Sequence, residues 1–492
     1  MLLKKDFMKG KISKVLLIDP PGNVVGLNTG LAYLSGSLLQ NGYKVIVLDF
    51  NNYKNDIDKR LRKSLKSGVE VIGFSLKSLT IVNALPLVRK CKKWFPKIPI
   101  IAGGPGVTVE GINFLKRYPL FDYALSGEGE LSFLKFLEYL QGKRKISEVS
   151  GLIYRRGKRL ISIENNFIFD LDKLPLPDYS VFDQLDFKKN NYPLVTSRGC
   201  PYNCSYCAVR LVSGRVFRSH SPLRVIQELR TAKKEYGIKK FEIYDDTFTQ
   251  DIKRAKKICH LMIDKKLNLP WVCENGIRAD RIDKELMKLM KKAGCKEIWL
   301  GIETLDPKVF RLINKGEKIE DILRTIRLAN QEGIMVSGFF IIGLPGSTYE
   351  KDFQTLEKAK KLRLQTSTWS LATPFPHTFL WQWMKKNARI IRNYNDVSFF
   401  VDPKCTFETV NYQEKDRLLI FYKANLAFHR YTCLTKENTI FKQAVSVLRI
   451  IWRFDRLHLP EHLIYGIRVF LSSGILKNYL RQLGKKFYEK NN

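Results

Sequence analysis

The sequence predicts an α/β protein in which a doubly wound parallel sheet precedes a partial barrel of six βα units and a helical C-terminal region. Short β-branched runs alternate with amphipathic stretches twice along the chain, and the pattern becomes basic and helical after about residue 385. Strands that alternate with helices are typical of parallel sheets. We expect four parts: a first α/β domain over 1–148, a linker over 149–190, the barrel over 191–385 and the helical region over 386–492.

The composition indicates a globular protein from a reducing compartment. The chain has 492 residues, 45% of them hydrophobic, which can supply cores for two or three domains of about 100–200 residues each. Its nine cysteines occur without a secretory signal, so we expect free thiols and a cytoplasmic protein rather than a disulfide framework. No apolar run approaches the roughly 18 residues that a membrane-spanning helix needs.

A formal net charge of +37 makes the chain strongly basic. Such a surface attracts nucleic acids, anionic lipid headgroups or acidic substrates. The excess of lysine and arginine is spread along the chain, so it can equally reflect a lysine-rich proteome. Charge alone therefore selects no partner.

The first part contains strands that alternate with helices. Strands are predicted over 15–19, 44–48, 69–75, 98–102 and 123–125, and helices over 30–41, 56–66, 81–95 and 130–140. Ligands of doubly wound sheets bind beyond the carboxyl ends of the strands, where small residues let a flat ligand approach the backbone. The candidate binding residues at these ends are Ser75, Gly103, Gly104, Pro105, Gly127 and Glu128.

An extended connector is predicted over 151–178. A hairpin is expected around 155–158, where the residues Arg-Arg-Gly-Lys separate two short runs. Pro175 and Pro177 lie two residues apart, which excludes a helix and favours extended chain.

The second α/β part repeats strand and helix six times. Strands are predicted over 192–196, 240–248, 271–278, 297–304, 336–346 and 368–376, and each ends in polar or glycine residues. Barrels of parallel strands place their sites at this carboxyl-terminal face. We therefore expect the functional site at the mouth of a partial barrel.

Three cysteines follow the first strand of this barrel at the spacing C-x3-C-x2-C, namely Cys200, Cys204 and Cys207. Three soft thiolates on one loop can hold three irons of a cubane cluster and leave the fourth iron open. The alternatives are a structural zinc site or three buried cysteines without a ligand. A closed zinc site needs four ligands, usually in two pairs, and no second Cys-x2-Cys occurs in the chain.

This spacing, with the aromatic Tyr206 before the last cysteine, resembles the cluster loop of the radical S-adenosylmethionine (SAM) enzymes. The resemblance covers about 191–383. It implies that the three cysteines hold a 4Fe-4S cluster, that SAM chelates the open iron, and that one electron cleaves SAM to a 5′-deoxyadenosyl radical.

Further roles follow from this resemblance by position. Asp245 and Asp246 occupy the place where the family binds the amino group of SAM. Arg278 and Glu303 lie at strand ends that usually face its carboxylate and ribose, with a salt bridge at the barrel rim as the alternative. The remaining positions are glycines where a strand approaches adenine, Gly343 and Gly346.

The first part resembles the Rossmann-like cobalamin-binding domain that precedes the barrel in one large subgroup of that family. The resemblance rests on the set of strand-end loops and on Thr29 to Leu34 at the start of the first helix. Other cobalamin domains carry a histidine that replaces the cofactor's own base beneath cobalt, whereas the first histidine here is His220. If cobalamin binds, the resemblance implies a lower face without histidine; loss of the cofactor would fit equally.

The C-terminal region predicts a basic helix. Arg449, Arg453 and Arg456 fall on one face, and Val447, Leu448, Ile451 and Phe454 gather on another. Such a helix can lie on an anionic membrane, although packing against the barrel is the commoner arrangement.

Together the two resemblances imply a cobalamin-dependent radical SAM methyltransferase acting on an unactivated carbon, or on phosphorus, of a small molecule or lipid. A reductant such as flavodoxin or ferredoxin is implied, and a nucleic-acid substrate is not expected. The alternatives are radical cyclisation or rearrangement without methyl transfer, and a tRNA-modifying methylthiotransferase. The last family carries three further cysteines in its first domain, where this chain has only Cys91. A basic scaffold without activity is disfavoured by the intact cysteine spacing.

Overall fold

The N-terminal part forms a seven-stranded sheet. The computed structural model describes residues 12–22, 26–187, 191–396, 403–430, 440–454 and 462. The elements of this part are β1 (Lys14–Asp19), α1 (Thr29–Gln40), β2 (Lys44–Asp49), α2 (Ile57–Lys66), β3 (Val71–Ser75), α3 (Ile81–Trp94), β4 (Ile100–Gly103), α4 (Pro105–Glu110), α5 (Asn113–Arg117), β5 (Tyr123–Leu125), α6 (Gly129–Leu140), β6 (Leu152–Arg156) and β7 (Arg159–Ser162).

Strand order β2-β1-β3-β4-β5-β6-β7 confirms the predicted doubly wound sheet, because β1 to β5 are all parallel. Strand β1 is buried on both faces: Val15 and Leu17 belong to one hydrophobic cluster, Leu16 and Ile18 to the other. The cluster containing Leu17 continues into the barrel and includes Leu194. The two α/β parts therefore share one apolar core.

The hairpin of the connector differs from the expectation in where it pairs. It forms at the predicted place, with Arg156 opposite Arg159, but β6 also pairs antiparallel with β5. A strand edge exposes unpaired backbone groups, and the hairpin covers that edge of the first sheet. The sheet thus continues to Ser162, whereas the boundary placed at residue 148 stays a prediction.

The second part is a six-stranded parallel sheet in the order β15-β14-β13-β12-β11-β8, as a partial (β/α)6 barrel requires. Its elements are β8 (Tyr192–Leu194), β9 (Ser197–Arg198), α7 (Val209–Val212), β10 (Arg218–Ser219), α8 (Pro222–Tyr236), β11 (Phe241–Ile243), α9 (Ile252–Asp264), β12 (Trp271–Ile277), α10 (Lys284–Lys292), β13 (Cys295–Glu303), α11 (Pro307–Leu312), α12 (Ile319–Gln331), β14 (Met335–Ile342), α13 (Tyr349–Lys360), β15 (Thr366–Leu371) and α14 (Phe379–Asn387).

Most barrel helices begin at a capping side chain. Hydroxyl or carboxylate oxygens accept hydrogen bonds from backbone N–H groups of the first turn, which the helix itself cannot satisfy. The capping residues are Ser221, Asp251, Asp283, Asp306, Thr348 and Thr378. These caps fix where each helix leaves the loop at the barrel face.

The described C-terminal elements are β16 (Arg389–Ile390), β17 (Phe407–Glu408), α15 (Glu414–Ala427) and α16 (Ile440–Phe454). Helix α15 packs on α13 and β15, and α16 packs on α15. Ile451 is 3% exposed at that contact, Arg449 is exposed, and Arg456 lies outside the described residues. Among the helices that the structure describes, none is long and apolar enough to cross a membrane.

Candidate active site

A cavity of about 430 Å³ lies between the carboxyl edge of the first sheet and the start of the barrel. All six residues predicted at the first sheet's strand ends line it: Ser75, Gly103, Gly104, Pro105, Gly127 and Glu128. The barrel contributes the segment that leads into the cysteine loop, including Ser197 and Arg198, and also Tyr244 and Asp246. The cavity therefore extends from the predicted cobalamin-binding residues to Asp246, one of the residues predicted for SAM; the three cysteines, Arg278 and Glu303 are not among the described residues that line it.

The wall on the side of the first sheet suits a large, flat ligand. Gly129 lines the cavity at the start of α6, and a Cβ built there meets no other heavy atom within 4 Å. Lys77 also faces the cavity and pairs with the buried Asp19 at 3.4 Å. No histidine is among the described residues that line it, in agreement with the sequence of the first domain.

The cysteine loop is held in place by backbone hydrogen bonds. Cys200 N–H donates to the carbonyl of Gly214 at 3.1 Å, and Ser205 N–H donates to the carbonyl of Ile313 at 2.8 Å. Leu380 N–H donates to the carbonyl of Ser205 at 2.8 Å. The loop is thus fixed between the turn after α7, the end of α11 and the start of α14.

The three thiols influence one another. Burial, together with the neighbouring cysteines, raises the pKa of Cys204 to about 11 and that of Cys207 to about 12. The cationic side chain of Lys315 opposes this shift at Cys204. Metal binding deprotonates thiols, so a cluster here releases protons and places thiolate charge beside Lys315.

The spacing of the thiols is compatible with a cluster in which each sulfur binds its own iron. Within the described ranges, no three His, Cys, Asp or Glu side chains converge closely enough to hold one metal ion. A cubane does not need such convergence, because its cysteines ligate different irons. The donor set of three free thiols on one fixed loop therefore fits a 4Fe-4S cluster.

Arg278 lies against this loop. Its guanidinium carbon is 3.2 Å from the centroid of the Tyr202 ring, and it hydrogen-bonds Asp280 and the carbonyl of Lys315 at 3.0 Å each. Its Nη2 is buried without a hydrogen-bond partner. Because its charge also acts on the Cys200 and Cys204 thiols, an orphaned donor is available where a carboxylate of SAM is expected.

Glu303 holds the cysteine loop from the barrel side. Tyr206 Oη donates to Glu303 Oε1 at 2.7 Å, and Lys315 Nζ lies 3.4 Å from the same oxygen. Lys315 also pairs with Glu317 at 3.0 Å. The predicted rim salt bridge is present, and it places Glu303 directly behind the cysteine loop.

The two adjacent aspartates have different surroundings. Asp245 is 1% exposed, and its carboxylate accepts hydrogen bonds from Thr196 N–H, the Thr196 hydroxyl and the Ser197 hydroxyl at 2.5 to 2.6 Å. Asp246 accepts from Gly199 N–H at 2.9 Å and lines the cavity. The binding of SAM's amino group stays a prediction for both, and Asp246 has the accessible position.

Gly343 and Gly346 adopt left-handed conformations, with φ of +80° and +82°. The space of a Gly343 Cβ is filled by the guanidinium of Arg417, whose Nη1 would lie 2.9 Å away. Gly343 N–H donates to Asp352 Oδ2 at 2.9 Å, and the Tyr412 hydroxyl donates to the same oxygen at 2.9 Å. Because Arg417 fills this space and φ is positive, position 343 requires glycine. The contact of Gly343 with adenine stays a prediction.

Sequence reasoning missed an acidic group inside the barrel. Glu242, Glu274 and Glu297 lie on three adjacent strands, and Tyr244 Oη donates to Glu242 at 2.9 Å. Burial and the charge of Glu242 raise the pKa of Glu274 to about 7. Alternating acidic and apolar residues on β11 to β13 were the available signal.

It also missed the ion pairs that join Arg198 and Arg218 to Glu128 and Glu130, at 2.6 to 3.1 Å. No local pattern marks partners that are 68 to 90 positions apart. The only hint is that Arg198 stands two positions before the first cysteine of the motif.

Comparison with known families assigns both α/β parts. The radical SAM superfamily matches residues 194–359, and the B12 binding domain matches residues 23–137. The first span contains the cysteine loop and the barrel strands from β9 to β14. The second contains the strand-end loops that line the cavity.

The chain is 30% identical, over 90% of its length and 100% of the relative's, to an uncharacterized methyltransferase from Pyrococcus horikoshii. It is 26% identical, over 85% of its length and 77% of the relative's, to the anaerobic magnesium-protoporphyrin IX monomethyl ester cyclase from Rubrivivax gelatinosus. It is also 26% identical, over 74% of its length and 80% of the relative's, to a cytidylyl-2-hydroxyethylphosphonate methyltransferase from Streptomyces wedmorensis.

Among solved structures, the fold resembles the radical SAM methyltransferase TsrM from Kitasatospora setae, determined with cobalamin and a 4Fe-4S cluster bound. The TM-score is 0.67 over 75% of this chain and 76% of that one, at 19% identity. At that identity the likeness concerns the fold.

Proposed function

This chain belongs to the cobalamin-dependent radical SAM methyltransferases, and from that premise we propose that it methylates an unactivated carbon, or a phosphorus, of a small molecule or a lipid. The observation that carries the proposal is the single cavity whose walls include both the strand-end loops of the first sheet and the segment leading into the cysteine loop. A methyl carrier and a radical source held on either side of such a space can act on one substrate.

Two cofactors would supply the chemistry when bound: a 4Fe-4S cluster would provide the electron for cleavage of SAM to methionine and a 5′-deoxyadenosyl radical, and cobalamin would carry the methyl group. The chain's own residues hold and orient these groups. Cys200, Cys204 and Cys207 are the proposed cluster ligands, and Asp246 and Arg278 are proposed to bind the amino and carboxylate groups of SAM. Gly103 and Gly129 leave room for the corrin.

The barrel interior is the proposed substrate site. Tyr244 lines the cavity and donates to Glu242 inside the barrel, so it connects the two spaces. On the next strands the rings of Trp299 and Phe339 lie 4.7 Å apart. Aromatic faces combined with a few polar groups suit an organic substrate that is largely apolar.

The methyl donor and the acceptor atom are tested together by isotope transfer. Anaerobically reconstituted protein, SAM labelled in its methyl group, cobalamin and a reductant are incubated with small-molecule and lipid extracts of the source cells. We expect label in one extractable product, and none when cobalamin is left out. Label in protein or RNA alone would contradict the proposed substrate class.

Radical cyclisation is a second candidate because a cyclase matches 85% of the chain. It predicts a product without label from the SAM methyl group. The methylthiotransferase alternative is less favoured, since Cys91, the first domain's cysteine, is fully buried in α3.

We further propose that a cytoplasmic flavodoxin-like or ferredoxin-like protein supplies the electron, and that any contact with a membrane is peripheral, through α16. The exposed Arg449 beside the partly exposed Leu448 supports the second proposal, while the packing of Ile451 on α15 limits how far this helix can leave the barrel. Sedimentation with anionic vesicles, compared between the chain and its Arg449→Glu variant, tests it.

A further inference from the structure

Arg198 lies where the cavity meets the cysteine loop. Its guanidinium forms ion pairs with Glu128 Oε1 at 3.1 Å and Glu130 Oε1 at 2.6 Å, and it lies 5.1 Å from the centroid of the Tyr33 ring. All four side chains line the cavity, and that of Arg198 is only 14% exposed. A ligand that fills the cavity therefore contacts a charged group that stands two residues before Cys200.

A second arginine fixes the same carboxylate. Arg198 and Arg218 are directly opposite each other in the two-stranded ribbon of β9 and β10. Arg218 Nη1 lies 2.9 Å from both oxygens of Glu128 and is 3% exposed. Burial opposes ionisation of this carboxyl group, but the two guanidinium groups outweigh it and lower the pKa of Glu128. The ribbon and the loop before α6 are thus locked together.

The chain between Arg198 and Cys200 is held by close packing and by backbone hydrogen bonds. Gly199 has φ +87°, and a Cβ there would lie 2.2 Å from the carbonyl of Val216, so this turn is closely packed. Gly199 N–H donates to Asp246 at 2.9 Å, and Cys200 N–H donates to Gly214. A displacement of Arg198 is therefore passed on to Asp246 and Cys200.

We propose that Arg198 is a positioning residue that couples the two cofactor sites through its ion pairs with Glu128 and Glu130. Cobalamin in the cavity holds these three side chains in one arrangement, and that arrangement sets the cysteine loop and Asp246 for binding SAM. Because coupling between two binding sites is reciprocal, SAM strengthens cobalamin binding by the same factor. The inference rests on the cofactors assigned above.

Binding measurements on the full chain, reconstituted anaerobically with iron and sulfide, test the coupling. The Kd of SAM is measured by equilibrium dialysis with and without hydroxocobalamin, and the Kd of hydroxocobalamin by absorbance with and without SAM. We expect each cofactor to tighten the other about tenfold, within the range of about 5- to 150-fold that is usual for coupled sites. Bound cobalamin, which is cob(II)alamin under the conditions that reduce the cluster, should also change the EPR spectrum of the reduced cluster.

Substitutions then locate the coupling. In Arg198→Met the coupling factor should fall to about one and the EPR change should disappear, although each cofactor alone still binds. Arg198→Lys should give an intermediate factor, since an ammonium group cannot pair with two carboxylates as a planar fork does. The matched control is Arg60→Met. Arg60 is similarly buried, at 12% exposed, and pairs with Asp183 of the linker at 2.6 Å, away from the cavity. The coupling factor of this control should equal that of the unaltered chain.

If Arg198→Met fails to fold, the isosteric Glu130→Gln carries the same test, with a reduced coupling factor expected. Either folded variant with the full factor overturns the proposal, and so does an unaltered chain in which the two cofactors bind independently. If the unaltered chain binds no cobalamin at all, the proposed function is contradicted instead, which separates the two failures.

Discussion

The hydroxyl of Tyr206 donates a hydrogen bond of 2.7 Å to Glu303 Oε1, joining the cysteine loop to the end of β13. Glu303 has φ +64°, a conformation that costs a non-glycine residue about 1–3 kcal/mol and persists only where its surroundings impose it. The side chain of Lys315 is 9% exposed, and its Nζ lies 3.4 Å from Glu303 Oε1. This ion pair helps to hold Glu303 in that conformation. The cysteine loop and the end of β13 therefore fix each other.

Replacing Tyr206 by Phe should loosen this contact. The buried carboxylate of Glu303 loses a donor, so we expect a loss of stability of about 1–3 kcal/mol together with slower cleavage of SAM. Urea denaturation and the rate of 5′-deoxyadenosine formation measure the two effects. Tyr43→Phe is the control, because the Tyr43 hydroxyl only accepts a bond of 3.3 Å from Gln141, far from the cysteine loop; equal effects from both variants would contradict the assigned contact.

Replacing Cys200, Cys204 or Cys207 by Ala should abolish iron binding and SAM cleavage, because each change removes one of three proposed protein ligands. Cys259→Ala and Cys295→Ala should keep both, with only a modest loss of stability, since these two thiols are fully buried in the barrel core. Iron content and absorbance after anaerobic reconstitution provide the measurement. A Cys204→Ala protein with full SAM cleavage would disprove the ligand assignment.

Arg278→Lys should weaken SAM binding by more than tenfold while leaving iron content unchanged. A lysine keeps the positive charge but loses the stacking on Tyr202 and the orphaned Nη2 donor that is buried near the thiols. Equilibrium dialysis of SAM against the reconstituted variant gives the result. An unchanged SAM affinity would contradict a contact between Arg278 and SAM and would indicate a purely structural role at the barrel rim.

The loop at Gly343 should show a pH-dependent stability set by Asp352. Burial raises the pKa of this carboxyl group from 3.8 to about 6. Between about pH 4 and pH 6 the folded chain holds a proton that the unfolded chain has released, so this group's contribution to stability falls as pH rises. Above the window the loss is on the order of 2–3 kcal/mol.

Asp352→Asn can keep both accepted hydrogen bonds, from Gly343 and Tyr412, without the buried charge. The variant should therefore gain stability relative to the unaltered chain as pH rises from 4 to about 6, and the difference should then stay level. Urea midpoints measured across this range decide; a difference independent of pH would contradict the raised pKa.

Sequence patterns predicted the features that depend on local periodicity. Strands β1 to β5 formed within two residues of their predicted bounds, because buried parallel strands are short, apolar and separated by amphipathic helices. The six barrel strands also begin within two residues of the predicted starts, but those predicted over 240–248, 336–346 and 368–376 end four or five residues early. The cysteine loop was identified from the spacing of its cysteines, and the strand-end residues that line the cavity from their positions after predicted strands. Their meeting at one cavity followed from the rule that ligands bind at the carboxyl edge of parallel strands.

Features that depend on long-range packing could not be predicted. Nothing near Arg198 in the sequence identifies Glu130 as its partner, because the pair forms only when the first sheet docks on the barrel. The positive φ of Glu303 and the position of the Arg417 guanidinium against Gly343 also depend on contacts between residues that are far apart in the sequence. The hairpin's pairing with β5 also depends on which sheet edge is left free, which no periodicity encodes.

The central claim, a radical SAM methyltransferase that depends on cobalamin, is tested most directly by the products of SAM. The reconstituted chain is incubated with SAM and dithionite, with and without cobalamin, and both nucleoside products are quantified by mass spectrometry. We predict 5′-deoxyadenosine in both reactions, and S-adenosylhomocysteine only when cobalamin is present. Formation of 5′-deoxyadenosine without any S-adenosylhomocysteine in the presence of bound cobalamin would contradict methyl transfer and favour the cyclase-like chemistry.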